Sequence, residues 1–144
     1  MEYKASELPS VAALSFLGDA VHSLFVRHML VARGLCRAGE LNDAARAYVS
    51  AEGQAAQAAR LLPHLTERER DVYRRAYNSG HLNRPRHASG AAYRAATGLE
   101  AVLGMLSYEE DRARLTALMA LAIAPSDQTE EQKETENNDH DSKD

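Results

Sequence analysis

Apolar residues recur three and four positions apart along most of this chain and seldom in strict alternation, which is the pattern of helices that turn one side toward a core. The clearest case starts after Ser10, a plausible N-cap. Its apolar stripe is Leu14, Leu17, Val21, Leu24, Phe25 and Met29, and Gly34 supplies a C-cap. A short helix is expected near Leu41 to Tyr48 and another from Ala51 to Leu62, stopped before Pro63. Thr66 and Glu69 form a capping box for a helix through about Tyr77, with Asn78, Ser79 and Gly80 closing it. His81 to Ser89, which contains Pro85, reads as a loop. A helix from about Gly90 to Ser107 follows, and Ser107 with Glu110 makes a second box for a last helix ending near Ala124. The β-branched and aromatic clusters that mark strands are scarce, so the fold class predicted is all-α, without internal repeats.

The 144 residues suffice for one domain with a real core. That domain is predicted over 1–124. From Pro125 to Asp144 the chain has no aliphatic or aromatic residue and carries a net charge of -6, so it is predicted to be a disordered acidic tail. The lone Cys36 rules out an internal disulfide framework and any cysteine-cluster zinc site. The start shows no basic region leading into an apolar run, and the longest apolar stretch is broken by Asp19, His22, Arg27 and His28. A cytoplasmic protein with no membrane segment is therefore expected.

Charge sharpens the picture. Setting the tail aside turns the formal -4 into +2, and the 28 residues from Val72 to Leu99 contain no carboxylate but five arginines and two histidines. Arginine outnumbers lysine fourteen to three. Its planar fork can hold two phosphate oxygens, and the stretch "NSGHLNRPRHASG" adds amides, hydroxyls and backbone N–H groups that grip a nucleic-acid backbone without reading bases. No aromatic RNA-recognition motif or zinc finger is present, so the pattern favours a double helix recognised by shape.

The candidate chemistry rests on two acids. Asp19, in "SFLGDAVH", and Glu100, in "ATGLEAVLG", each stand alone in a nearly apolar helix, with Gly18 beside one and Gly98 and Gly104 beside the other. If these helices pack closely, the carboxylates converge, and like charges in a low dielectric need a proton or a cation between them. Oxygen ligands select Mg²⁺ or Mn²⁺ over zinc, which points to phosphodiester chemistry. A lone acid on a helix is also commonly solvated or paired with arginine, and spacing alone leaves both readings open. His22 and His28 have no zinc-site spacing and read as polar-face or core-edge residues.

"FLGDAV" followed by "GLEAVLG" resembles the signature pair of the ribonuclease III catalytic domain, a dimeric all-helical fold that cleaves double-stranded RNA with Mg²⁺. The short length and the missing RNA-binding domain make the chain similar to the Mini-ribonuclease III branch. The similarity runs roughly from Leu8 to Leu121 and includes "FVRHMLVARG", "AYVSAEGQA", "LTERERDVYRRAYNS" and "YRAATGLEAVLG". The resemblance implies that Asp19 and Glu100 are catalytic ligands of Mg²⁺, with Mn²⁺ as a substitute, and that hydrolysis leaves 5′-phosphate and 3′-hydroxyl ends. It assigns RNA binding to Arg74, Arg75, Asn78, Arg84 and Arg86, and a supporting place around the ligands to Ser15, Thr97 and His22. Ser15 and Thr97 stand where the larger enzymes carry further acids, so two of four acidic ligands are absent. It also implies a homodimer through the "LGDAV" helix and maturation of large-subunit (23S) ribosomal RNA precursors, with a ribosomal protein as a further partner. The competing readings are a catalytically weak or inactive helical RNA- or ribosome-binding protein and a helical nucleotide pyrophosphohydrolase. The latter needs facing ExxE-like acids, and Glu109 to Asp111 reads instead as a helix start.

Overall fold

The computed structural model describes residues 7–79 and 90–124. They form α1 (Val11–Ala32), α2 (Ala38–Val49), α3 (Ala51–Leu61), a 3-10 turn (Leu62–His64), α4 (Glu67–Ser79), α5 (Gly90–Tyr108) and α6 (Arg112–Ala122). There is no strand among the described residues, as the periodicity predicts. The loop predicted at 81–89 and the tail from 125 lie outside them.

Local chemistry sets most boundaries. The Ser10 hydroxyl accepts from the Ala13 N–H at 3.2 Å. At the other end Gly34, at φ +91°, completes a Schellman motif in which the N–H groups of Gly34 and Leu35 donate to the carbonyls of Val31 and Leu30. Thr66 and Glu69 exchange the two bonds of a capping box, at 3.2 and 2.9 Å. Pro63 falls in the 3-10 turn, which adapts the chain end of α3 to a residue that has no N–H to donate.

The predicted box at Ser107 does not form. Ser107 stays inside α5, whose end is a second Schellman motif: Glu110 and Asp111 donate to the carbonyls of Ser107 and Leu106, with Glu110 in the left-handed region at φ 58°. The N-cap of α6 is Asp111, whose carboxylate accepts from the Arg114 N–H at 3.1 Å. A hydrogen-bonded helix end thus overrides a sequence match. α6 also ends at Ala122 rather than near Ala124, and α2 begins three residues before the predicted start.

α5 is the axis of the core. Ala92, Ala96 and nearly every residue from Gly98 to Leu106 are buried, with α1, α3, α4 and α6 around it. α1 runs antiparallel to it, and their backbones touch: a Cβ at Gly18 would collide with the Glu100 carbonyl, and one at Gly104 with the Leu14 carbonyl. The fully buried row of α1 is therefore Leu14, Gly18, His22, Val26 and Leu30; of the predicted stripe Leu14 is in it, Val21 and Phe25 pack half-buried against the core, and Leu24 is exposed. A reading that counts only apolar residues passes over a glycine and a histidine at the point of closest approach.

α4 and α6 are tied by an ion pair whose carboxylate is buried and whose arginine is partly exposed. Arg114 donates to both Glu69 oxygens, at 3.0 and 2.8 Å, and to the His64 carbonyl at 2.8 Å. Burial alone would push the Glu69 carboxyl up, but the bonds from Arg114 and Thr66 outweigh it and hold the group below its ordinary range.

The close crossing of α1 and α5 is directly testable. Gly18→Ala is expected to lower stability by about 3 kcal/mol or more, because the methyl meets backbone that cannot turn away. Gly39→Ala is the control: it lies in α2 with nothing within 4 Å of the added carbon and is expected to stabilise by up to about 1 kcal/mol. Urea unfolding of the two variants reads both, and equal effects would refute the crossing.

Candidate active site

The contact of Gly18 with the Glu100 backbone has a direct consequence for its neighbours. Asp19 follows Gly18 on α1, and Glu100 is itself the residue touched, so the two acids lie at one level of the α1–α5 seam. Asp19 is exposed and Glu100 is half-buried. Burial, first, and the charge of Asp19, second, push the Glu100 carboxyl up to about 8, and hydrogen bonding from Gln54 pulls it back only in part. Among the described residues neither acid forms an ion pair. Nor do these residues contain a group of three or more His, Cys, Asp and Glu placed to hold a metal. Among the described residues the arrangement is two carboxylates with no cation paired to either.

Ser15 and Thr97 lie beside the pair. The Ser15 hydroxyl donates to the Thr97 carbonyl at 3.0 Å, a further bond between α1 and α5, and the Thr97 hydroxyl donates to the Tyr93 carbonyl at 2.9 Å. Each has spent its proton on backbone, so only oxygen lone pairs remain to offer.

His22 is fully buried, and so lies inside the core and not at the polar face or core edge expected. Its Nε2 bonds Gln57 Oε1 at 2.6 Å, and the Gln54 amide bonds its Nδ1 at 3.3 Å. Burial lowers its pKa, and the bond to Gln57 and the charge of Asp19 recover only part of that, so the ring is neutral. Gln54 and Gln57 come from α3 and are also buried. Sequence reasoning missed both: they sit three apart and one turn from the core positions Ala58 and Leu61, where glutamine reads as helix surface.

The basic residues fall on the exposed side of α4. Arg74 pairs with Asp71 at 2.8 Å and Arg75 reaches the same carboxylate at 3.9 Å, so the acid that precedes the basic run partly neutralises both. Asn78 is exposed. Arg84 and Arg86 lie outside the described residues. Arg94 stacks on Tyr77, 6.0 Å from the ring centroid, in a packing contact.

A family model described as the Ribonuclease III domain matches residues 12–111. The chain is 38% identical over 113 residues to the Mini-ribonuclease 3 of Streptococcus pneumoniae, covering 77% of this chain and 88% of that protein. To the Mini-ribonuclease 3 of Symbiobacterium thermophilum it is 41% identical over 109 residues, covering 76% and 84%. A crystal structure of a protein from Fusobacterium nucleatum matches with a TM-score of 0.73 at 27% identity, over 79% of this chain and 91% of that one.

The isolated acid pair makes a pH prediction. A carboxyl with its folded pKa raised from 4.5 to about 8 favours folding when protonated; that contribution is fully present below about pH 4.5 and is lost as pH rises to about 8. In metal-free buffer Glu100→Gln is therefore expected to gain on the wild type by a few kcal/mol at pH 9 and by little at pH 5. Urea unfolding at both pH values checks this, and a gap independent of pH would contradict it.

Proposed function

Since the chain belongs to the ribonuclease III domain family, in its Mini-ribonuclease 3 group, we propose that it hydrolyses double-stranded RNA at the Asp19–Glu100 pair with Mg²⁺ or Mn²⁺. The observation that carries the reading is the pair itself: two acids set side by side by touching helix backbones, with Glu100 destabilised as an anion first by burial and then by the charge of Asp19. The donor set fits a hard divalent cation, since it is all oxygen, carries two negative charges and has no competing arginine or lysine bonded to it among the described residues. When bound, such a cation supplies Lewis acidity toward water and a phosphodiester oxygen.

The rest is the work of the chain. Asp19, exposed, is the carboxylate that substrate phosphate meets first, while Glu100 is held from behind by α3. Ser15 and Thr97 offer lone pairs to ordered water. Arg74, Arg75 and Asn78, with Arg84 and Arg86 from the segment outside the described residues, take phosphates flanking the scissile bond, and Asp71 is the group they leave on binding. The products are 5′-phosphate and 3′-hydroxyl ends.

Cutting both strands calls for two subunits. Phe16, Leu24 and Val31 on α1 are 84%, 66% and 62% exposed, and Leu24 lines a groove with Val21, Phe25, Leu106 and Leu115 that also takes in Glu110 and Arg112. A protruding ring and a recess on one surface suit a two-fold interface. Within that reading the substrate is large-subunit (23S) ribosomal RNA precursor, with or without a ribosomal protein, in the cytoplasm. No helix among the described residues is long and apolar enough to cross a membrane.

The test is cleavage of a labelled RNA duplex in Mg²⁺. Asp19→Asn is expected to reduce the rate by about 10³-fold or more while duplex affinity stays within a few-fold, since one ligand of the cation is lost and the phosphate grip remains. Wild-type protein that binds duplex without cutting it would favour the binding-protein reading. Both binding and cleavage should fall steeply between low and high salt. Phe16→Glu should run as a monomer in size-exclusion chromatography, and an unchanged elution volume would remove the proposed interface.

A further inference from the structure

Four arginines lie on α4, and each is already engaged. Arg68 forks onto Glu109 with two bonds of 2.7 Å. Arg70 donates through Nε and Nη2 to the Leu62 carbonyl, at 3.3 and 3.1 Å. Arg74 and Arg75 share a single acid. Asp71 Oδ1 accepts from Arg74 Nη2 at 2.8 Å, and its Oδ2 lies 3.9 Å from Arg75 Nη1. The spacing is three and four residues with the acid on the N-terminal side, the order that helix geometry and dipole favour. This clasp is therefore local to α4 and needs no tertiary partner. All three side chains are exposed, and Asp71 and Arg74 line one open groove with Glu67 and Arg70. Asp71 is also the last carboxylate before the 28 residues from Val72 to Leu99 that have none. Two oxygens of one anion set against two guanidinium groups are what a phosphodiester would present in the same place.

We propose that Asp71 is an internal stand-in for phosphate: it holds Arg74 and Arg75 in the free protein, and duplex RNA takes them by exchanging a backbone phosphate for the carboxylate. Asp71 thereby sets how tightly the α4 face binds RNA. The inference rests on the reading of α4 as the RNA-contacting face. Magnitudes decide its direction. Exposed ion pairs are weak, and arginines this exposed keep most of their freedom inside the clasp, so Asp71 orders them little for the incoming strand. Two costs stand against that small help. The pair must be given up, and the freed carboxylate stays within several ångströms of the phosphate, where like charges repel even through water. The net effect is competition.

The experiment is the affinity of a labelled RNA duplex for the full chain in divalent-free buffer, where no step depends on a cation. Asp71→Asn is expected to bind about three- to tenfold more tightly than wild type at low salt, and the gain should shrink as salt rises. Asp71→Glu, which restores the charge, should stay within about twofold of wild type. Asp43→Asn is the control, since it removes the same charge from an exposed pair of the same spacing, Asp43 with Arg46 at 3.5 Å on α2; it should gain less than about twofold. In an Arg74→Gln, Arg75→Gln background Asp71→Asn should gain no more than that control. Equal gains from Asp71→Asn and Asp43→Asn, or a gain that persists without the two arginines, reduce the effect to net charge and overturn the proposal, as does no gain at all. Wild type that binds no duplex, or an Arg74→Gln, Arg75→Gln variant that binds as tightly as wild type, overturns the reading of α4 as the RNA face, which keeps that failure apart from a failure of the exchange.

Discussion

The backbone contact between α1 and α5 is the constraint on which the rest depends. Helices packed through ordinary side chains keep their axes 8–10 Å apart. Gly18 and Gly104 remove the side chains at two successive turns, so the Glu100 and Leu14 carbonyls come within reach of the opposite helix. The acids are placed by this contact and by little else: one follows a contact glycine in sequence and the other is the residue it touches. Core packing and site geometry are in that sense the same interaction, and a change to either is felt by the other.

Two buried or half-buried glutamates in this protein show how surroundings decide the role of a carboxylate. Glu69 is held by a bidentate arginine and a capping threonine, and its pKa falls despite burial. Three hydrogen bonds engage both of its oxygens, and the group serves as a fixed tie between α4 and α6. Glu100 meets burial, a second acid and a single amide, and its pKa rises to about 8. It is left short of positive charge. The first is a finished structural element and the second is chemistry that awaits a partner.

α1 carries three different surfaces on 22 residues. One face enters the core through Leu14, Gly18, Val26 and Leu30, one edge bears Asp19, and another side exposes Phe16, Leu24 and Val31. A helix that is apolar on more than the face its own core uses has a low amphipathic contrast. This is why its periodicity announced a helix but misplaced the buried stripe.

Much of this was legible in the residues. The helices, the Ser10 and Gly34 caps and the Thr66–Glu69 box follow from short-range hydrogen bonding and sterics, which act within a few positions and leave marks in the sequence. The importance of Asp19 and Glu100 was legible because a charge is conspicuous in an apolar run. The false box at Ser107 shows the limit: two helix-end motifs competed for the same residues, and the Schellman closure at Glu110 prevailed. Gln54, Gln57 and the burial of His22 were not legible at all, because a polar side chain looks the same in sequence whether water or another polar group satisfies it. The sequence by itself determined which segments are helical and which two acids stand out. Only the tertiary structure decided that those acids share one seam and that His22, Gln54 and Gln57 are buried in a row of hydrogen bonds, since both depend on how closely helix backbones approach, and no local rule contains that distance.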